Sequence, residues 1–112
     1  MILLDPDQRV VGPLLPYDDY AEDPDESVVT DDIGFIPISE AMLARVASLG
    51  DVFGGTHLVL IWERDGSDRF TQQDLRWARA MANGSNGDRL RMRAQFVLHD
   101  TGMRQITLDD YM

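Results

Sequence analysis

The stretch that most constrains the fold is the eight-residue segment 56–63, THLVLIWE. Apolar residues occupy both alternating series of this run: Leu58, Leu60 and Trp62 on one face, Val59 and Ile61 on the other. A strand with one face in water alternates apolar and polar residues, and a membrane-spanning helix needs about 20 apolar residues. The segment therefore predicts an interior strand that is covered on at least part of both faces.

A first helix is predicted before this strand, over residues 40–49. Apolar residues recur there at the three- and four-residue spacing of one helix face: Met42, Leu43, Val46, Ala47 and Leu49. Ser39 is placed to cap the start of this helix, and Gly50 has the conformational freedom of a C-terminal stop.

A second helix is predicted after the strand, beginning at Thr71. Asp74 stands three residues later and completes a pattern that resembles a capping box, in which glutamate or glutamine is more usual. The apolar stripe of this helix consists of Leu75, Ala78 and Ala82. The run NGSNG at 83–87 then marks its end.

The C-terminal part reads as a β-hairpin. Residues 90–99 alternate strictly, which predicts a strand with two distinct faces. A three-residue loop at 100–102 with Gly102 at the bulge position fits the apolar pattern. That register pairs Phe96 with Ile106, Ala94 with Leu108 and Arg93 with Asp109.

The element order from residue 33 onward is β-α-β-α-β-β, after a short strand predicted at 28–30. Helical connections favour parallel neighbours, and the hairpin adds an antiparallel strand. We therefore expect an α+β fold with a mixed sheet of four to five strands and two helices mainly on one face. By length, residues 1–112 form one domain, with 1–32 a Pro/Asp/Glu-rich N-terminal arm and acidic loop that contains an edge strand at 1–4.

The negative charge is concentrated in the first forty residues. Residues 1–40 hold eleven carboxylates and one arginine, whereas residues 41–112 hold nine carboxylates and nine arginines. The formal net charge of −10 therefore belongs entirely to the N-terminal third. Such an asymmetry is typical of a surface that attracts a basic partner.

The leading functional hypothesis is a small acidic, non-catalytic regulator that docks on a basic surface of another protein. Inhibitors, immunity proteins and DNA mimics act in this way, and the partner's basic surface would then include a nucleic-acid-binding site. The predicted contact residues are Tyr17, Asp18, Asp19, Tyr20, Glu22, Asp23, Asp25 and Glu26. Two alternatives for this segment are a solvated loop that maintains solubility and a calcium loop, although it lacks the EF-hand glycine and closing glutamate.

Direct nucleic-acid binding is not expected. Arg91 and Arg93, with Arg89 and Arg104 nearby, form a basic stripe, but phosphate contact requires a positive surface potential and the chain is strongly acidic. Pairing of the stripe with local acids is the simpler interpretation.

A catalytic role is also not expected. His57 and His99 have Asp51 and Asp100 near them in sequence, but no motif of hydrolases, metalloproteases or phosphate-binding loops accompanies them. The absence of cysteine excludes thiolate chemistry and is typical of a reducing compartment, so we expect a cytoplasmic protein without cofactor, metal or membrane contact. A small enzyme without a recognisable motif remains the second alternative.

The first alternative is a structural or assembly subunit, viral or homo-oligomeric. It would use Val97 and the hairpin edge 103–108 as its contact surface.

Overall fold

The computed structural model describes residues 1–12, 23–30, 34–85 and 90–111. It confirms the predicted α+β class, with one mixed five-stranded sheet and helices packed against it. In chain order the elements are β1 (Ile2–Leu4), β2 (Val10–Val11), β3 (Ser27–Thr30), β4 (Gly34–Pro37), α1 (Ile38–Phe53), β5 (His57–Glu63), α2 (Gln72–Gly84), β6 (Arg91–His99), β7 (Gly102–Ile106) and α3 (Leu108–Tyr111). Within these ranges, no helix has the length and apolar character that crossing a membrane requires.

The main sheet has the strand order β2-β1-β5-β6-β7. As predicted, β5 is interior, and α2 connects it to its parallel neighbour β6. The other neighbours pair antiparallel. The sequence placed β1 at an edge of the sheet, but β1 lies between β2 and β5, and the first twelve residues contribute two strands rather than an arm.

The strands β3 and β4 form a separate two-stranded hairpin, with Ser27 opposite Pro37 and Thr30 opposite Gly34. The expectation that α1 would connect neighbouring strands of one sheet is therefore wrong. Strand β4 pairs with β3 alone, so α1, which begins directly after β4, connects this hairpin to β5 of the main sheet.

Helix α1 extends past its predicted end. Gly50 is a buried residue inside the helix, and an added Cβ there would lie 2.9 Å from the Gly55 carbonyl oxygen. The helix ends instead at Gly54, whose φ of 74° is left-handed and whose amide donates to the Gly50 carbonyl. Gly50 therefore provides close packing, and Gly54 provides the turn.

Replacing Gly54 by alanine is expected to lower the free energy of unfolding by about 1 kcal/mol, because a Cβ strains a left-handed backbone. No atom lies within 4 Å of the added Cβ, so backbone strain is the only cost. Urea unfolding measures the change. Gly54→Asn should lower the free energy of unfolding by less, since asparagine tolerates the left-handed backbone region. Ser48→Ala, on the exposed side of the same helix, is the control. An unchanged midpoint for Gly54→Ala would contradict the role of Gly54.

A β-bulge in β6 reverses the alternation that the sequence suggested. Leu58 pairs with Met92 but Val59 pairs with Ala94, so Arg93 is an extra residue. Beyond the bulge, the odd-numbered residues lie on the side of the sheet that the helices cover, and Gln95 and Val97 are buried there. The prediction that the even-numbered residues share one face throughout 90–99 is wrong for this reason.

The hairpin register follows from the bulge. The loop is the two-residue turn Asp100–Thr101, and His99 pairs with Gly102. Gln95 faces Ile106, and both are buried on the helix side. The predicted three-residue loop and its pairs are therefore wrong: Phe96 faces Gln105, while Leu108 and Asp109 belong to α3 and have no partner in β6.

The short helix α3 is capped by a local bond network. The Thr107 amide donates to Asp110 Oδ2 over 2.7 Å, and the Thr107 hydroxyl lies 3.0 Å from the same oxygen. The hydrogen bond from the Thr107 backbone amide is the main cause that holds the pKa of the Asp110 carboxyl below its ordinary value.

The core lies between the main sheet and the helices. Its centre is a pair of tryptophans, Trp62 on β5 and Trp77 on α2, whose ring centroids are 5.5 Å apart at 49°. Around the pair lie Leu3, Met42, Leu43, Val46, Leu58, Leu60, Ala78, Met81, Leu90, Val97 and Ile106. Helix α1 buries Met42, Leu43 and Val46 of its predicted stripe here. Helix α2 buries Trp77, Ala78 and Met81, of which only Ala78 belongs to the stripe predicted for it.

Candidate functional site

The candidate site is the described part of the acidic segment. Of the predicted contact residues, Asp23, Asp25 and Glu26 can be placed in the structure. The others lie outside the described residues: Tyr17, Asp18, Asp19, Tyr20 and Glu22.

Residues 23–26 form a turn closed by its own first aspartate. The Asp23 side chain accepts a 2.9 Å hydrogen bond from the Asp25 amide, and the Asp23 carbonyl accepts one of 3.1 Å from the Glu26 amide. An aspartate that bonds the backbone two residues on makes an Asx turn, which the Pro-containing sequence DPDE favours. The turn therefore has a defined backbone.

This turn is anchored on the N-terminus of α1. The Ile38 amide donates to the Glu26 carbonyl over 2.7 Å, and the Ser39 amide donates to the Pro24 carbonyl over 3.1 Å. The prediction that the Ser39 side chain caps α1 is wrong, since Ser39 is buried and makes no side-chain cap bond. Backbone carbonyls of the turn satisfy these amides instead.

Two residues of this turn present their carboxylates to solvent, whereas the Asp23 carboxylate is bonded within the turn. Asp25 and Glu26 are exposed, while Pro24 is buried beneath them. In the described part of the chain, no arginine forms an ion pair with Asp23, Asp25 or Glu26. Their negative charge also lies beside the positive end of the α1 dipole. Sequence analysis identified these carboxylates but missed the anchor, because a contact between backbone groups leaves no pattern in the sequence.

The described residues do not form a metal site. Across residues 1–12, 23–30, 34–85 and 90–111, no three carboxylate or imidazole groups lie close enough to hold an ion. Three acids of the alternative calcium loop, Asp18, Asp19 and Glu22, lie outside those ranges.

The two histidines form hydrogen bonds with threonines. His57 Nδ1 lies 2.8 Å from the Thr56 hydroxyl, and His99 Nδ1 accepts a 3.3 Å bond from the Thr101 amide. The Asp100 carboxylate accepts from the Gly66 amide over 3.0 Å. No histidine–carboxylate bond of the kind that acid–base catalysis uses is present among the described residues.

The arginine stripe is divided between different surroundings. Arg104 lies 4.1 Å above the Phe70 ring and donates to the Asp68 carbonyl over 3.0 Å. Arg91 and Arg93 are exposed, and Arg93 Nε donates to Gln8 Oε1 over 3.2 Å. Arg89 lies outside the described residues. The described members therefore do not form one continuous basic surface.

The surface suggested for assembly also changes. Val97 is fully buried under the helices and cannot contact another molecule. The strand β7 does form an edge of the main sheet, but it ends at Ile106, before the predicted limit of 108.

Exposed carboxylates on an anchored turn can accept hydrogen bonds from the lysine and arginine side chains of another protein. Comparison of the chain with models of known protein families, with characterised proteins and with solved structures finds no match.

Proposed function

We propose that this protein is a non-catalytic binding protein whose acidic segment docks on a basic surface of a partner protein. The observation that carries the proposal is the anchored turn 23–26, which presents the Asp25 and Glu26 carboxylates to solvent without an arginine partner in the described part of the chain. The excess of carboxylates in residues 1–40 supports it.

The physical advantage of this arrangement is pre-organisation. A loop that must be ordered on binding loses conformational entropy, whereas two hydrogen bonds to α1 already hold this backbone. Concentrated negative charge also accelerates the encounter with a positive surface. The turn therefore favours both the rate and the specificity of docking.

The partner that this chemistry fits is a basic protein in the cytoplasm, such as a nucleic-acid-binding protein whose DNA site the carboxylates would occupy. The protein would then act as an inhibitor or immunity factor by DNA mimicry. The chain itself would bind neither nucleic acid nor membrane.

Neutralising the turn is expected to weaken the complex. The native chain identifies the partner by affinity capture from a lysate of its source. Asp25→Asn/Glu26→Gln should then raise the Kd about threefold to tenfold, as expected for exposed ion pairs. Neutralising all six acids at 18, 19, 22, 23, 25 and 26 should raise it further. Calorimetry at several salt concentrations measures both the Kd and its salt dependence, which should become flatter.

The matched control is Asp65→Asn/Asp68→Asn, which removes the same charge from an exposed loop elsewhere. If the control weakens binding as much as the turn variant, only net charge matters and the proposed site is wrong. Competition between the protein and a DNA duplex for the captured partner then separates DNA mimicry from docking elsewhere.

A further inference from the structure

The main sheet has a second face, which we call the open face: the side opposite the helices. Cross-strand pairing and alternation assign its members, because directly opposed residues share a face. Its apolar side chains come from all five strands: Ile2, Leu4, Val10, Val59, Ile61, Ala94, Phe96, Leu98 and Met103.

These side chains are separate from the core. None of them belongs to the buried cluster or packs against it. All remain at least partly exposed, with Leu98 at 38%, Met103 at 55% and Val10 at 60%. The helices of the described residues are committed to the other side. A contiguous apolar surface of this extent is typical of an interaction site.

Charge is distributed unequally between the two ends of this face. At the end of the face where β6 starts, Arg91 pairs with His57. Three arginines lie at this end, Arg9, Arg91 and Arg93, together with the two aspartates of the β1–β2 turn, Asp5 and Asp7, so the net charge of this end is slightly positive. At the other end, Glu63 closes β5 and Asp100 follows β6, and both are exposed. The apolar rows lie between a basic end and an acidic end.

We propose that the open face is the contact surface between two copies of this chain, packed face to face with their strands antiparallel. A two-fold axis across the strands places the basic end of each copy over the acidic end of the other. The Ile2 and Val59 row then lies over the Ile61 and Phe96 row. Such a self-complementary patch is what a two-fold interface requires.

The size of the face is close to the lower limit for such a dimer. Four strands at about 4.8 Å spacing and seven residues at about 3.3 Å give roughly 440 Å² of flat area per copy. The two copies together then contribute about 900 Å², whereas a specific interface starts at about 1,000 Å². Two sheets packed about 10 Å apart fit this arrangement, and Phe96 and Ile61 lie near its centre.

The first test is the mass in solution. Sedimentation velocity of the native chain over a concentration series should show a species of twice the 12.7 kDa of one chain. Phe96→Asp should raise the dissociation constant about 30-fold or more, because it replaces an aromatic ring near the centre of the interface by a buried charge. Phe35→Asp, at a 77% exposed residue of the β3–β4 hairpin, is the matched control and should leave the constant unchanged.

The second test addresses the antiparallel arrangement through exposed residues that the fold tolerates. Arg91→Glu and Glu63→Arg alone each bring like charges together and should weaken the dimer about fivefold, since the symmetry repeats the contact. The double variant should recover most of the loss. Circular dichroism checks the fold of every variant. If Phe96→Asp fails to fold, the comparison of the two single charge variants with the double variant still tests the proposal.

Three results would overturn all or part of the proposal. A native chain that stays monomeric at millimolar concentration would leave the open face to a different occupant, and a dimer insensitive to Phe96→Asp would place the interface elsewhere. A dimer in which the charge exchange fails to restore affinity would overturn the antiparallel arrangement. None of these results depends on the acidic turn, so they leave the proposed function untouched.

Discussion

Replacing Asp74 by alanine is expected to lower the free energy of unfolding by about 3–5 kcal/mol, the usual cost of removing one member of a buried ion pair. Asp74 is 4% exposed and binds the Arg64 guanidinium, with Nε 3.0 Å from Oδ1 and the terminal nitrogen 2.8 Å from Oδ2. Its loss leaves a largely buried cation without its carboxylate.

Asp74 has a second role at the start of α2. Its side chain accepts from the Thr71 amide over 2.8 Å, and its own amide donates to the Thr71 hydroxyl over 3.0 Å, which completes the predicted capping box. The partner Arg64 also donates to the Asp65, Ser67 and Arg69 carbonyls. One ion pair therefore connects the end of β5, its following loop and α2.

Chemical denaturation measures the effect, and Asp68→Ala, in the same loop but exposed, is the control, with an expected change below about 0.5 kcal/mol. Asp74→Asn keeps one acceptor oxygen but removes the charge, so its loss of stability should be intermediate. In a cycle with Arg64→Met, the double variant should lose less than the sum of the single losses. A loss below about 1 kcal/mol for Asp74→Ala would show that the pair contributes little.

Replacing Gln95 by leucine is expected to cost about 2–3 kcal/mol, because it removes two buried hydrogen bonds at once. Gln95 is 3% exposed; its Oε1 accepts from the Trp62 indole over 3.0 Å, and its Nε2 donates to the Ala78 carbonyl over 2.9 Å. An indole only donates and a carbonyl only accepts, so these partners fix the amide orientation. Gln95 thereby connects β5, β6 and α2.

The same denaturation experiment measures this loss, with the exposed Gln72→Leu of α2 as the control. Gln95→Glu adds a test by pH. A buried glutamate that donates to Ala78 when protonated has a raised folded-state pKa, so its stability should approach the parent's below about pH 4.3 and fall behind as the pH rises. A deficit that does not change with pH would contradict the geometry assigned to Gln95.

The candidate site was predictable in its chemistry and not in its geometry. Asp25 and Glu26 can be identified from the sequence because the charge of a segment follows directly from its residue types. Their anchoring depends on carbonyls of residues 24 and 26 meeting the amides of residues 38 and 39, more than ten positions away. Backbone groups are the same in every residue, so no sequence pattern marks such a contact.

Local patterns by themselves determined three features of this protein. The apolar run 56–63 dictated an interior strand, Thr71 and Asp74 dictated the start of α2, and the carboxylates of residues 1–40 dictated its charge asymmetry. Each depends on neighbours within a few residues, where spacing alone sets side-chain geometry. The tertiary structure decided the interior place of β1, the separate hairpin of β3 and β4 and the bulge at Arg93. A one-residue shift between distant strands exchanges the buried face for the open one, so patterns within a single strand do not determine how strands pair.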